Sequence, residues 1–190
     1  TSILKFIIIM FALTANGTFS QWQPNVRLSD YPFSSRTGLH NARNVATDGN
    51  MVHVVWDDYR FGASSEVYYK RSTDKGLNWG DDTRLTDNIG SSQQINVAAA
   101  NQVVHVVWRD SYEDNPDVYY KRSTDGGISW GPEIKISSGA GSTRYPMVAV
   151  SGQVVHVVFD DDRHTGSEVY YRRSSDQGVT WGAETRLTNV

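Results

Sequence analysis

Three segments of the chain share one dense hydrophobic pattern: Met51-Val-His-Val-Val-Trp56, Val103-Val-His-Val-Val-Trp108 and Val154-Val-His-Val-Val-Phe159. They are β-branched and aromatic with few polar positions, as a strand buried on both faces should be. Each is followed by an alternating segment: Glu66-Val-Tyr-Tyr-Lys-Arg-Ser72, Asp117-Val-Tyr-Tyr-Lys-Arg-Ser123 and Glu168-Val-Tyr-Tyr-Arg-Arg-Ser174. The period of two places Val67 and Tyr69 on one face and Tyr68 and Lys70 on the other. A short mixed stretch precedes each pair (Asn44–Thr47, Asn96–Ala99, Met147–Val150), and Arg84-Leu-Thr, Ile134-Lys-Ile or Arg186-Leu-Thr follows it. No segment carries helical periodicity. Each unit predicts four short strands.

The units repeat strictly. Ser72, Ser123 and Ser174 head equivalent segments, which sets a period of 51 residues. Four-stranded sheets at such a period predict an all-β protein, a β-propeller of antiparallel blades that bury their faces on one another. A sandwich has no reason to keep so long and regular a period. The repeats run over about 41–87, 93–137 and 144–190. Trp22-Gln-Pro-Asn-Val-Arg27-Leu28-Ser-Asp30 matches Trp79-Gly-Asp-Asp-Thr-Arg84-Leu85-Thr-Asp87, which predicts a lone outer strand over 22–30 ahead of three complete blades. Rings close with ~4–8 blades, so the expectation is a fragment of a larger ring that self-associates through its unclosed blade faces.

The first twenty residues stand apart. Lys5 precedes the apolar run Phe6–Leu13, and small and polar residues follow up to Ser20. Eight apolar residues are too few to span a bilayer, which takes ~20; the arrangement predicts a signal peptide over 1–20, export of a bacterial type and a secreted or cell-surface mature chain over 21–190 with no membrane span. Composition narrows the function classes. A net charge of −3 leaves no footprint for nucleic acid, and the absence of cysteine removes disulfides, thiolate catalysis and cysteine-based zinc sites. Five of the six tryptophans fall at repeat-equivalent positions, so aromatic richness belongs to the repeat.

The most regular motif is S-x-D-x-G-x-x-W: Ser72, Asp74, Gly76 and Trp79; Ser123, Asp125, Gly127 and Trp130; Ser174, Asp176, Gly178 and Trp181. An Asp in a hairpin accepts N–H groups of its own turn, Gly supplies the positive φ, and Trp packs on the blade. Three copies on three blades lie apart and cannot converge on one substrate, so their reading is structural. These motifs resemble the Asp-boxes, or BNR repeats, of the sialidase (neuraminidase) superfamily, a resemblance that covers essentially the whole mature chain. It implies a sialidase-like propeller, the chain then being a fragment of the six-bladed ring usual in that family, a fold shared by enzymes and by non-enzymatic secreted proteins.

The family's enzymes grip a substrate carboxylate with three arginines and use a Tyr nucleophile, its Glu partner and an Asp acid/base. Their first arginine lies in a Phe/Tyr-Arg-Ile-Pro motif ahead of an apolar strand, and another follows that strand. Here Thr143-Arg144-Tyr145-Pro146 precedes Val154–Phe159 and Asp160-Asp161-Asp162-Arg163, so the resemblance implies substrate-binding roles for Arg144 and Arg163. Thr143 and Tyr145 depart from the pattern. Alignment on the VHVV segments makes Asn41 and Gln93 the counterparts of Arg144. No residue is matched to the nucleophile, its Glu or the acid/base.

Other polar groups read as structural. His53, His105 and His156 fill one packing niche three times, and no metal or cofactor is expected. Asp57-Asp58 and Asp160–Asp162 follow the buried strand; clustered oxygens would suit calcium, but the spacing fits no calcium loop and pairing with Arg60 or Arg163 in a solvated loop is expected. Ser138–Ser142 is a Gly-rich inter-blade loop without the Lys and helix of a phosphate loop. The chain is therefore expected to be a secreted propeller region that binds glycans or proteins within a larger extracellular protein. The alternative implied by the resemblance is a fragment of an exo-sialidase cleaving terminal sialic acid.

Overall fold

The computed structural model describes residues 25–29, 34–37, 43–60, 62, 64–111 and 115–189. The expected signal segment, Trp22 and Asn41 lie outside them. Thirteen strands form three antiparallel sheets. The first sheet joins β1 (Ser35–Arg36), β2 (Val45–Asp48), β3 (Met51–Asp58), β4 (Glu66–Ser72) and β5 (Thr83–Arg84). The second runs β6 (Ser92–Ala100), β7 (Val103–Asp110), β8 (Asp117–Ser123) and β9 (Ile134–Lys135). The third runs β10 (Thr143–Ser151), β11 (Val154–His164), β12 (Gly166–Ser174) and β13 (Thr185–Arg186). These are the three expected blades, each beginning earlier than the sequence pattern suggests. Ser35 and Arg36 pair with Asp58 and Asp57 just as Ser92 and Gln93 pair with Asp110 and Arg109, so β1 and β2 are the first strand of blade 1 split by an insertion.

The blades stack through the apolar side chains of their second and third strands. Val55, Val67 and Tyr69 of blade 1 pack on Ile95, Val97, Val104, Val106 and Trp108 of blade 2. Val107, Val118, Tyr120 and Ile136 of blade 2 repeat the contact on Val148, Val155, Val157 and Phe159 of blade 3. Side chains that fully leave water in this way contribute about 1.5–3 kcal/mol each. First strands meet directly along the inner side: Asn96 Oδ1 accepts the Val148 N–H at 3.1 Å, and the Arg43 carbonyl accepts the Val97 N–H at 2.9 Å.

Polar links repeat as faithfully as apolar ones. The outer strands are two residues long, and a clamp holds each of them. Glu66 takes Arg84 and Thr86 at 2.7 and 2.5 Å, Asp117 takes Lys135 and Ser137 at 2.5 and 2.6 Å, and Glu168 takes Thr188. A cation on each third strand reaches back to the preceding outer strand. Lys121 Nζ donates to the Leu85 carbonyl at 2.7 Å, and Arg172 donates to that of Ile136 at 2.6 Å. Lys70 Nζ donates to the Leu28 carbonyl at 2.8 Å, which puts residues 25–29 where the outer strand of a preceding blade would stand.

At the rim, Tyr69 meets the glycine of the next S-x-D-x-G-x-x-W turn. A Cβ on Gly127 would lie 1.9 Å from the Tyr69 hydroxyl, and one on Gly178 would lie 1.9 Å from that of Tyr120. The same tyrosines stand edge-on to Trp130 and Trp181, with centroids 4.9 and 5.0 Å away, and lie 2.7 Å from His53 and His105. Burial lowers the pKa of both histidines to about 4, so each is a neutral packing group. Gly76 has no such tyrosine: a Cβ there meets only Trp79, at 3.6 Å. Gly76 and Gly127 share one backbone geometry, with φ of 87° and 86°. Gly76→Ala should therefore cost about 1–2 kcal/mol for the left-handed conformation. Gly127→Ala should cost about 2 kcal/mol more for displacing Tyr69. Urea unfolding of the two variants reads the difference; equal losses would show that the tyrosine contact contributes nothing.

Candidate functional site

The three S-x-D-x-G-x-x-W turns lie where β4, β8 and β12 end. In each, the serine hydroxyl donates to the aspartate (2.7, 2.7 and 2.6 Å) and accepts the glycine N–H at 2.8 Å. Asp74 Oδ1 accepts the Asn78 N–H at 2.8 Å; Asp125 and Asp176 take those of Ser129 and Thr180 at 2.9 Å. Hydrogen bonds to the charged form hold Asp74 near a pKa of about 2 and push Asp125 and Asp176 lower still. Such carboxylates are consumed by their own turns, and they do not converge.

Blade-specific chemistry sits at the opposite end, the mouth, where the first strands begin and the second strands finish. Asp58, Asp110 and Asp161 are buried there and tied in every blade. Asp58 accepts from Ser35, Trp56 and Arg60 at 2.9, 3.1 and 2.8 Å; Asp110 accepts from Ser92 and Trp108 at 2.6 and 3.3 Å; Asp161 accepts from Arg163 at 2.6 Å. Arg163 also pairs with Glu184 at 2.8 Å and lies 4.1 Å from the centre of the Tyr170 ring. Arg60 repeats that network with Asp58, Asp82 and Tyr68. Both arginines are thus spent within their blades, and their carboxylate partners are buried rather than in the expected solvated loop. Gly139 and Gly141 of the inter-blade loop press against Arg163, leaving no space for a Cβ.

The neighbouring position on each second strand turns to the other face and varies: Asp57, Arg109 and Asp160. Across from it on the first strand stand Arg36, Gln93 and Arg144. This register corrects the sequence alignment, since the blade 1 counterpart of Arg144 is Arg36 rather than Asn41. The insertion between β1 and β2 hid the match. Tyr59, Ser111 and Asp162 complete the set two residues further on, each donating its N–H to the carbonyl of the residue just ahead of β1, β6 or β10.

Contacts between blades hold the mouth together. Gln93 donates to the Tyr59 hydroxyl at 2.9 Å, Gln94 Oε1 accepts the Tyr145 N–H at 2.8 Å, and Arg109 Nε donates to the Thr143 carbonyl at 3.0 Å. Arg144 pairs with Asp162 at 3.0 Å in a half-open setting. Arg109 lies half-buried with its pKa lowered by burial and by the like charge of Arg144. Arg109 has no ion pair among the described residues, and two guanidinium groups that repel one another are suited by their planar donors to an anion. Asp57 is 4% exposed, and no other side chain among the described residues bonds its carboxyl. Burial raises its pKa to about 6, with its own N–H and Arg36 opposing and Asp58 adding. Asp160 is raised by burial as well, against Arg144. Sequence reasoning did not single out Arg36 or Arg109, and it expects Asp57 in a solvated loop; of the three, Arg109 is the one that departs in charge from its counterparts, Asp57 and Asp160. Among the described residues no three His, Asp or Glu side chains are grouped to hold a metal ion, and no helix is long and apolar enough to cross a membrane.

Solved structures with this arrangement are propeller glycosidases. A Penicillium chrysogenum alpha-L-arabinanase complexed with arabinobiose aligns over 74% of this chain and 46% of its own, with a TM-score of 0.58 and 15% identity. A Hadza microbial sialidase aligns over 73% and 36%, with a TM-score of 0.58 and 14% identity. A Trypanosoma rangeli sialidase aligns over 76% and 30%, with a TM-score of 0.53 and 15% identity. The chain carries the β-propeller fold of these glycosidases. It spans less than half the length of each. No protein-family model and no curated protein sequence matches it.

Within the propeller, Asp57 carries a linkage of definite sign. Its folded pKa lies above the ordinary carboxylate value, so the folded state holds the proton more tightly. Stability falls as pH rises from about 4 to about 6 and is flat above that. Asp57→Asn removes the buried charge. It should match the parent near pH 4 and exceed it by about 3 kcal/mol above pH 6, as read by urea unfolding across that range. A difference independent of pH would show that Asp57 is not held in this state.

Proposed function

We propose that this chain is a secreted Asp-box propeller region of the sialidase-like kind, whose mouth binds glycans that carry a carboxylate. The observation that carries the proposal is the juxtaposition of Arg109 and Arg144. The two cations brought together by neighbouring blades repel each other although Asp162 already pairs with Arg144, and a planar guanidinium takes a carboxylate bidentately. Supporting it, charge differs between blades at the mouth, where Arg109 stands in place of Asp57 and Asp160, while the inter-blade seams and clamps repeat. The self-bonded turns support the Asp-box assignment, and the run Phe6–Leu13 supports export.

A second reading has one observation in its favour. Burial lifts the pKa of the Asp57 carboxyl in the same mouth to about 6, closer to the range in which a carboxyl exchanges a proton with a leaving group. In that reading the chain is part of an exo-sialidase in which Arg144 grips the substrate, while Arg163, already paired, orients the mouth from behind. Turnover of a fluorogenic sialoside, abolished by Arg144→Ala, would favour it over binding alone.

The binding reading is tested by titrating the full chain with N-acetylneuraminic acid and with neutral galactose. Only the acid should bind, the affinity should fall with added salt, and Arg109→Ala should weaken it by more than tenfold. Equal retention of neutral and acidic sugars, or indifference to Arg109→Ala, would overturn it.

A further inference from the structure

Blades 3 and 1 each carry one half of the seam that the inner contacts complete. On blade 3 the tyrosine is already set: Tyr171 lies 2.7 Å from His156, as Tyr69 does from His53 and Tyr120 from His105. Around it stand Val158, Val169 and Leu187, the counterparts of Val55, Val67 and Leu85. Those blade 1 residues are buried against blade 2, whereas Leu187 is 56% exposed and Val158, Val169 and Tyr171 are partly exposed. Blade 1 carries the receiving half. Gly76 has the positive φ of Gly127 and Gly178, with Trp79 beside it. Val45, Val52, Val54 and Trp56 repeat Val97, Val104, Val106 and Trp108 of blade 2. Val45 is 52% exposed where Val97 is fully buried. This face departs from blade 2 at Arg43, which takes the place of Ile95.

The end units of a stacked array need a polar outer face, and neither of these faces has one. They match each other instead. Val158, Val169, Tyr171 and Leu187 set against Val45, Val52, Val54 and Trp56 reproduce, residue for residue, the seam in which Val55, Val67, Tyr69 and Leu85 meet Val97, Val104, Val106 and Trp108. Charge agrees as well. Arg109 of blade 2 reaches the carbonyl of Thr143 on blade 3, the residue before Arg144. The counterparts of Arg109 and Thr143 are Asp160 and Ser35. The same geometry therefore brings Asp160 to the residue before Arg36, where the charges are opposite.

We propose that two copies of this chain join head to tail, blade 3 of each on blade 1 of the other, in one ring of six blades. Each Tyr171 enters the Gly76 turn of the second copy. A head-to-tail contact makes a ring only if its rotation closes, and among multiples of three blades only six falls within the ~4–8 that rings use. The outer strand is exchanged in the process. Arg186-Leu187-Thr188 of the second copy brings its carbonyl to Lys70 in place of Leu28, which lies in the similar sequence Arg27-Leu28-Ser29 and in no strand.

Analytical ultracentrifugation of the full chain at pH 7 tests this, and the chain should sediment at twice its own mass. Tyr171→Ala and Gly76→Ala, on opposite faces, should each raise the dissociation constant at least about tenfold. Within one chain a Cβ on Gly76 meets Trp79 alone among the described residues, so the second copy's tyrosine is what it would obstruct. Mixing separates a lost contact from a damaged fold. The two variants together should pair through the one seam in which Tyr171 and Gly76 are both intact, and do so more tightly than either alone. A monomer at every concentration would overturn the proposal, as would a dimer indifferent to both substitutions or an open series of larger species. Failure of the mixture to recover, with both variants keeping the parent's circular dichroism, would overturn it too. Urea that separates the copies leaves Gly76 without a tyrosine, so its contrast with Gly127 in unfolding is read on the single chain.

Discussion

A tyrosine hydroxyl set into the glycine of the next blade's turn is the contact on which the arrangement of blades depends. It is made by Tyr69 on Gly127 and by Tyr120 on Gly178, each with a histidine behind it and a tryptophan edge beside it. The glycine is required twice over, for its positive φ and for the space its missing side chain leaves to the phenol. This fixes the angle at which one sheet lies on the next. The valine layers between the sheets then fall into register, and the lysine and arginine links to the preceding outer strands follow. The strict sequence period is the imprint of that constraint.

Because the seams are locked at the rim and through the middle of the blades, the mouth is free to differ from blade to blade. Positions that would be equivalent by repetition hold Arg36, Gln93 and Arg144 on one strand, and Asp57, Arg109 and Asp160 on the next. Their charges do not cancel locally. Burial and the like charge of Arg144 lower the pKa of Arg109, and burial raises that of Asp57, whose carboxyl has no cation bonded to it among the described residues. Unbalanced groups of this kind lower stability and are informative because nothing in the packing calls for them.

Much of the fold was legible in the sequence, because a pattern repeated three times separates structure from accident. The strands, the structural use of Asp74, Asp125 and Asp176 and the packing role of His53 and His105 all follow from side chains whose local chemistry is self-contained. Residues 25–29 form no strand, although the Leu28 carbonyl takes Lys70 as the Leu85 carbonyl takes Lys121. The mouth was harder to read. Arg36 is separated from the rest of its blade by an insertion, so alignment on the apolar core passed it over for Asn41. Arg163 looked available because its order along the chain fits a motif; the buried Asp161 and Glu184 that occupy it are visible only in three dimensions. Arg109 and Asp57 look like ordinary surface charges until burial and neighbours are known.

The one-residue slip near the start of β6 and β10 has a consequence for how such a chain can change over time. Side chains along a strand alternate between faces, so a substitution pattern that suits one end normally constrains the other. The slip breaks that phase. Residues ahead of it follow one alternation and residues behind it follow another, and the backbone absorbs the mismatch at Gln94 and Tyr145. A blade copied by duplication therefore arrives with its packing intact and its first few positions uncommitted. New specificity can be written there one side chain at a time, without renegotiating the core.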